Sequence, residues 1–274
     1  MRVHSSFFHN LDPLNVTLQR LRDLATTLAQ RSRVPFSNRP EGVVLLLDDG
    51  RTVPGVRLDS TAFPLTIPAA TAAWCIAQVV APQAALVAAA SSSEILAADG
   101  EPLHTDFGLD RVETLPWAAV RPNTSLPHLS DWATPFLVGR VETPGEGVAM
   151  ARTVAVRARV PASDFPVGCV GQLPDGRLVG GVNVEVDDWT RSLCAERTLV
   201  SLVAAYGLPN PDTLYLTCLK ASCTPCGGCR QVLMDQFPEA TIWMDRGEAA
   251  PERTSGTSTP TSAADSWRSP STKR

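Results

Sequence analysis

Three cysteines and one glutamate fall in two short clusters of this 274-residue sequence. Cys194-Ala195-Glu196-Arg197 is the first, and Pro225-Cys226-Gly227-Gly228-Cys229-Arg230-Gln231 the second. A C-x-x-C pair puts two thiolates on one metal, and a third thiolate from elsewhere leaves a fourth position open. That is the layout of a catalytic zinc site, because structural sites usually fill all four positions with protein ligands. Glu196, two residues after the first thiolate, would sit beside the metal without being one of its usual ligands. Three thiolates on a divalent zinc leave a formal charge of about −1. Arg197 and Arg230 adjoin the cysteines and would offset that charge by donating to sulfur, as outer partners of metal ligands do. Water at an open zinc position reaches a pKa near ~7, and Glu196 is placed to take its proton.

Two other readings of the cysteines stay open on spacing alone. Cys223 or Cys218 as a fourth ligand would make a structural zinc knob. An iron–sulfur site is weaker, since the fourth cysteine at ferredoxin spacing is missing. Cys75 and Cys169 read as buried small hydrophobes.

The elements that must position these groups follow from period and punctuation. The first cluster falls at the start of a helix over 193–206 that ends at Gly207, a good C-cap residue. The second falls at the start of a helix over 228–236. Helix N-termini carry free N–H groups and a positive dipole end, which favour thiolate over thiol. Strands are expected at 165–173 and 178–186, joined by the turn Pro174-Asp175-Gly176-Arg177, and then at 214–219 and 240–244. A helix over 148–160 precedes them.

The same order occurs once before. A helix over 13–31 begins at Pro13, with leucines at three- and four-residue steps. Strands 42–47 and 52–58 flank the turn Asp48-Asp49-Gly50-Arg51, and an Ala-rich helix covers 68–80 with Pro68 at its start. A further helical stretch is expected over 82–90 and a strand over 111–115. Asp59 stands as far before Pro68 as Glu185 stands before Cys194. The sequence is therefore an internal repeat, in which Pro68 and Ala70 stand where the second copy has Cys194 and Glu196. The first copy lacks the metal ligands. The expected division is 1–116 for the first copy, 117–146 for a proline-broken linker, 147–246 for the second copy, and a disordered tail over 247–274, which is Ser, Thr, Pro and charge. The fold class is α/β, each copy a mixed sheet of about five strands flanked by helices.

Composition narrows the class. The chain is 44% hydrophobic and 19% charged, with net charge −4. That balance gives no basic footprint for a nucleic acid polymer. Apolar stretches near 69–80 and 82–90 are too short to span a bilayer, so no membrane partner is expected. Seven cysteines, four of them within 218–229, read as metal binding in a reducing compartment rather than a disulfide framework. With no charged and apolar leader pattern at its start, the expectation is a soluble cytoplasmic protein.

Residues 161 to 236 closely resemble the cytidine deaminases, a family in which a zinc site with cysteine ligands works beside a separate glutamate. Phe165-Pro166-Val167-Gly168, Gly181-Val182-Asn183-Val184-Glu185, Cys194-Ala195-Glu196-Arg197 and Pro225-Cys226-Gly227-Gly228-Cys229-Arg230-Gln231 follow its motifs in order and near spacing. The resemblance implies that Cys194, Cys226 and Cys229 bind Zn2+ and that Glu196 shuttles the proton. It implies that Asn183 and Glu185 hydrogen-bond a ribose hydroxyl, that Phe165 packs near the pyrimidine, and that the Ala195 backbone contacts the base. Read without it, Asn183 and Glu185 are ordinary strand-end polar residues and Phe165 is core. Residues 35 to about 116 resemble the inactive domain of two-domain members, here placed first. Val186 and Asp187 stand where the family usually has Asn-Ala, and Ala162 where it has Tyr or Leu. Both departures bear on how a nucleoside is closed over.

The implied activity is hydrolysis of cytidine and deoxycytidine to the uridine forms plus ammonia, in pyrimidine salvage. The substrate partner is then a small nucleoside, and two chains would pair as a homodimer that forms a pseudo-tetramer. A deaminase of another small aminopyrimidine nucleoside and a non-catalytic zinc-stabilised interaction protein are the alternatives. The inactive copy is expected to bury the catalytic copy's interface, so that removing residues 1–140 gives insoluble or inactive protein.

Overall fold

The computed structural model describes residues 13–247 and 249–255. Two sheets are built in the same sequence of steps. The first half opens with helix α1 (Pro13–Leu28), which buries Leu18, Leu21, Ala25 and Leu28. Strands β1 (Gly42–Leu47) and β2 (Thr52–Val56) follow, then α2 (Ala69–Val80), β3 (Leu86–Ser91), α3 (Ala97–Thr105), β4 (Asp110–Val112) and β5 (Leu115–Val120). The second half runs β6 (Phe136–Leu137), α4 (Pro144–Ala155), β7 (Val167–Gln172), β8 (Leu178–Val182), α5 (Ala195–Tyr206), β9 (Thr213–Cys218), α6 (Gly227–Gln236), β10 (Thr241–Arg246) and β11 (Ala249–Ser255).

The first sheet has the order β2-β1-β3-β5-β4 and the second β11-β10-β9-β7-β8-β6. The hairpin turns are chemically alike. Gly50 and Gly176 take φ of 88° and 84°, a region that Gly enters without steric cost. Asp49 and Asp175 each accept the N–H of the arginine two residues on, at 3.0 Å. The mixed sheet expected in both halves occurs in the second, where β10 runs parallel to β9 after the α6 crossover. The first sheet is antiparallel throughout, because β5 returns antiparallel to β3.

Helices α1 and α4 cover the outer faces of the sheets. α2 and α5 lie on the inner faces, where they pack on each other and on the opposite half's hairpin strand. Both are buried nearly all round, as helices enclosed on every side must be. The contacts that join the halves are reciprocal. Arg31 Nη1 donates to the Ala205 carbonyl and Arg157 Nη1 to the Val79 carbonyl, each at 2.7 Å. The two halves thus share one core.

Three expectations need correction. The helix expected over 82–90 is the central strand β3, buried at all six positions. A short Ala-rich apolar run fits a buried helix and a buried strand equally, and sheet packing decides. The expected linker 117–146 is largely structured. β5 lies in the first sheet, the backbone of residues 130–133 pairs with that of Gly50 and Thr52, β6 joins the second sheet, and α4 starts at Pro144. The helix expected over 148–160 is α4, which starts four residues earlier and ends at Ala155. Thr143 and Glu146 form a capping box with Pro at the first helical position. The tail expected from 247 begins with β11, which pairs antiparallel with β10 through residues 249–255. That strand carries Glu252, Arg253 and Thr254 in succession after Pro251, so pairing on an edge forms it without much apolar burial. The rest of the expected tail lies outside the described residues.

Candidate metal centre and its surroundings

Cys194 is the N-cap of α5 and Cys226 the N-cap of α6, with Cys229 in the first turn of α6. The neighbouring helices α5 and α6 bring their N-termini together at this point. The three sulfurs lie within 4.8 Å of one another, Cys194 and Cys226 at 4.0 Å. Among the described residues this is the one group of three or more candidate ligands that gathers in this way. Cys218 and Cys223 are buried outside it. Tetrahedral zinc with sulfur at about 2.3 Å separates its ligands by roughly 3.8 Å, so this donor set fits a zinc ion with little movement. Cys229 is buried and Cys226 exposed, which leaves one side of the cluster accessible.

The electrostatics favour a thiolate at the cap. The Cys226 sulfur receives the thiols of Cys194 and Cys229 and the N–H groups of Cys229, at 3.4 Å, and Gly228. These hold it far below the ordinary thiol range. The same sharing pushes Cys194 and Cys229 upward. Glu196 sits in the first turn of α5, only 4% exposed. Its carboxyl neighbours the Cys226 and Cys229 sulfurs, and burial pushes it up to about 7.

Neither arginine reaches a sulfur as expected. Arg197 Nη2 donates to the carbonyl of Leu65, at 3.2 Å, and its Nε is buried without a partner among the described residues. Arg230 Nε donates to Pro225 O at 2.9 Å and closes its own loop. In both cases a carbonyl oxygen lies within reach of the guanidinium. Leu65 belongs to the 3₁₀ turn Phe63–Leu65 of the first half, and its side chain also borders Gly228, where a Cβ would come within 3.1 Å of it. The half without metal ligands therefore touches both helix N-termini that carry the cluster. It does so again where Ser60 and Thr61 hydrogen-bond Asp235 on α6. Nothing in the periodicity of 60–65 marks those residues, though Asp59 and the turn after it align with Glu185 and the turn Trp189–Arg191.

The other predicted residues lie at the start of α5, just after β8 and on the loop that leads into β7. Ala195 is buried at the start of α5, and Gly181 of β8 admits its carbonyl so closely that any Cβ there would collide with it. Asn183 accepts from the Val167 N–H at 2.8 Å and donates to the Phe165 carbonyl at 2.9 Å. Glu185 is 4% exposed, and its carboxylate takes the N–H groups of Ala162 and Ser163, at 3.0 and 3.1 Å, and the Ser163 hydroxyl. Phe165, expected as core on its own, is 37% exposed. Both polar groups thus hold the loop that carries Phe165.

These features define an α/β protein with an open three-thiol centre at two helix N-termini and a buried carboxyl beside it. Residues 142–244 match the family model described as the cytidine and deoxycytidylate deaminase zinc-binding region. A cytidine deaminase of Mycobacterium tuberculosis is 39% identical over 88 residues, 31% of this chain and 65% of that protein. One from Halalkalibacterium halodurans is 35% identical over 94 residues, 32% of this chain and 70% of that protein. Among solved structures, the cytidine deaminase of Mycobacterium leprae is 31% identical and that of Burkholderia pseudomallei 26% identical. They cover 42% of this chain each and 95% and 94% of their own, with TM-scores of 0.37 and 0.40. The chain belongs to the cytidine deaminase family. It spans 65% of the length of the M. tuberculosis relative.

Proposed function

We propose that this protein hydrolyses cytidine and deoxycytidine to uridine and deoxyuridine with release of ammonia. The observation that carries this reading is the accessible cluster of Cys194, Cys226 and Cys229 with the buried Glu196 carboxyl against it. The three cysteines would hold the zinc. Bound there, zinc would supply Lewis-acid activation of a water nucleophile.

The chain's own groups do the rest. Glu196 accepts a proton from the attacking water and delivers it to ring nitrogen N3 as the water oxygen adds to C4. A second proton passes through Glu196 to the exocyclic amine, which leaves as ammonia while the C4 carbonyl forms. A carboxyl near 7 suits both halves of that traffic, since it gives and takes a proton with little cost near neutrality. Phe165 lies against the pyrimidine, and the Ala195 backbone borders the base. Asn183 and Glu185 define the sugar end. Their side chains already brace the Phe165 loop, so a ribose hydroxyl would share acceptors in use rather than meet free ones.

The enzyme would serve pyrimidine salvage in the cytoplasm. Two chains would pair into a pseudo-tetramer with two active centres. Phe63 and Trp189, exposed at 86% and 59% on the equivalent 3₁₀ turns, are apolar side chains that such pairing would cover. The direct test is ammonia release from cytidine and deoxycytidine by purified protein, beside a panel of other aminopyrimidine nucleosides. Turnover confined to other members of the panel would replace the substrate assignment.

A further inference from the structure

We infer that Asp106, in the half without metal ligands, is a positioning residue for the substrate wall of the other half. This rests on the reading of Phe165, Asn183 and Glu185 given above. Asp106 caps the C-terminus of α3, and its carboxylate is almost fully enclosed, with the side chain 3% exposed. It holds Arg159 Nη2 at 2.9 Å. The ring of Phe107, next in sequence, lies under the same guanidinium at 5.8 Å and packs on Trp74 with centroids 5.5 Å apart. The arginine is thus gripped by a charge on one side and an aromatic face on the other.

Arg159 passes that grip to the wall. Its Nη1 donates to the Glu185 carbonyl, and its backbone pairs with Asn183 O and Glu185 N at 3.1 and 2.8 Å. The Glu185 carboxylate in turn fixes Ala162 and Ser163, and Asn183 fixes Phe165 and Val167. A continuous line of hydrogen bonds therefore runs from Asp106 to the Phe165 loop. It does not pass through the cysteine cluster.

The mirror-related arginine is held differently. Arg33 stands at the equivalent point of the first half, with the same backbone pairing to Arg57 O and Asp59 N. Its guanidinium meets the neutral side chains of Gln236 and Asn210, at 2.9 and 3.3 Å. Of these two mirror-related arginines, only Arg159, which braces the Phe165 loop, is held by a carboxylate. General stability of the inter-half contact does not require that difference.

The test uses the full-length zinc-loaded protein. Asp106→Asn should raise KM for the nucleoside roughly tenfold, as a small displacement of a binding wall does, with kcat and zinc content near wild type. Asp106→Glu should restore part of the loss. Arg33→Ala, which also removes an inter-half contact, should leave KM unchanged. Amide exchange gives a readout that needs no turnover: exchange at residues 162–167 should speed up in Asp106→Asn and stay as in wild type in Arg33→Ala. An unchanged KM, or equal changes in both variants, would overturn the inference in an active enzyme. Should the wild type prove inactive on nucleosides, the functional reading falls, and unchanged exchange at 162–167 in Asp106→Asn would still overturn the clamp.

Discussion

Asp59 and Glu185 occupy equivalent points of the two halves, and their carboxylates are held by matching donors. Asp59 takes the N–H groups of Phe36 and Ser37 and the Ser37 hydroxyl. Glu185 takes those of Ala162 and Ser163 and the Ser163 hydroxyl. The half without metal ligands has kept this brace although it has no centre to serve. The contact is therefore part of the fold first, and any work on a sugar is added to it. Glu185→Gln should accordingly lower stability by about 1–3 kcal/mol, as the loss of charge on a buried hydrogen-bonded acceptor does. Asp59→Asn should do the same, and denaturant unfolding of the two variants would check it.

The metal should be bound by three sulfurs and no more. Serine at Cys194, Cys226 or Cys229 should strip zinc from the purified protein, whereas Cys218→Ser and Cys223→Ser should leave about one zinc per chain. X-ray absorption should then give three sulfurs near ~2.3 Å and one lighter ligand near ~2.0 Å. Retention of zinc in Cys229→Ser with loss in Cys223→Ser would reverse the ligand assignment.

Gly181→Ala should damage the centre from behind. A Cβ there collides with the Ala195 carbonyl and comes within 2.8 Å of the Leu199 Cβ, so α5 must shift with Cys194 and Glu196 on it. Overpacking of this kind costs roughly 1–3 kcal/mol. A lower Tm together with weaker zinc retention is expected. Gly176→Ala is no control for packing, because its positive φ strains any side chain although nothing crowds it.

Stability should fall in acid through Asp245. This carboxylate on β10 is buried, which raises its pKa. Hydrogen bonds from Arg152 on α4, Thr217 on β9 and the Gly247 N–H outweigh burial and leave it below the usual carboxylate value. A group lowered on folding stabilises the fold above its unfolded pKa, about 3.9 for Asp, and that stabilisation is lost as pH falls through its folded value. Asp245→Asn should therefore lower stability at pH 7 and flatten the acid limb of the stability curve below about pH 4. Thermal melts between neutral pH and about pH 3 would check the sign.

Much of this molecule was legible in its sequence because the informative residues are local. Pro13, Gly50, Gly176 and Gly207 punctuate the elements where turn and cap chemistry requires them, and the spacing of Cys194, Glu196, Cys226 and Cys229 placed the cluster on two helix N-termini. What sequence could not give depends on partners distant in the chain. The Ala-rich run at 86–91 became a strand because β1 and β5 lie on either side of it. Arg197 turned to Leu65 rather than to sulfur because the other half presents a carbonyl there. The clamp of Asp106 on Arg159 joins two stretches with no shared pattern.

The most direct test of the account replaces Glu196 with Gln and measures ammonia release from cytidine beside the zinc content of the same sample. The account predicts turnover in the wild type and at least about a hundredfold loss in Glu196→Gln, the scale of a positioned acid–base group, with zinc retained. Substantial turnover in a zinc-loaded Glu196→Gln variant would contradict the assignment of the proton shuttle and with it the central claim.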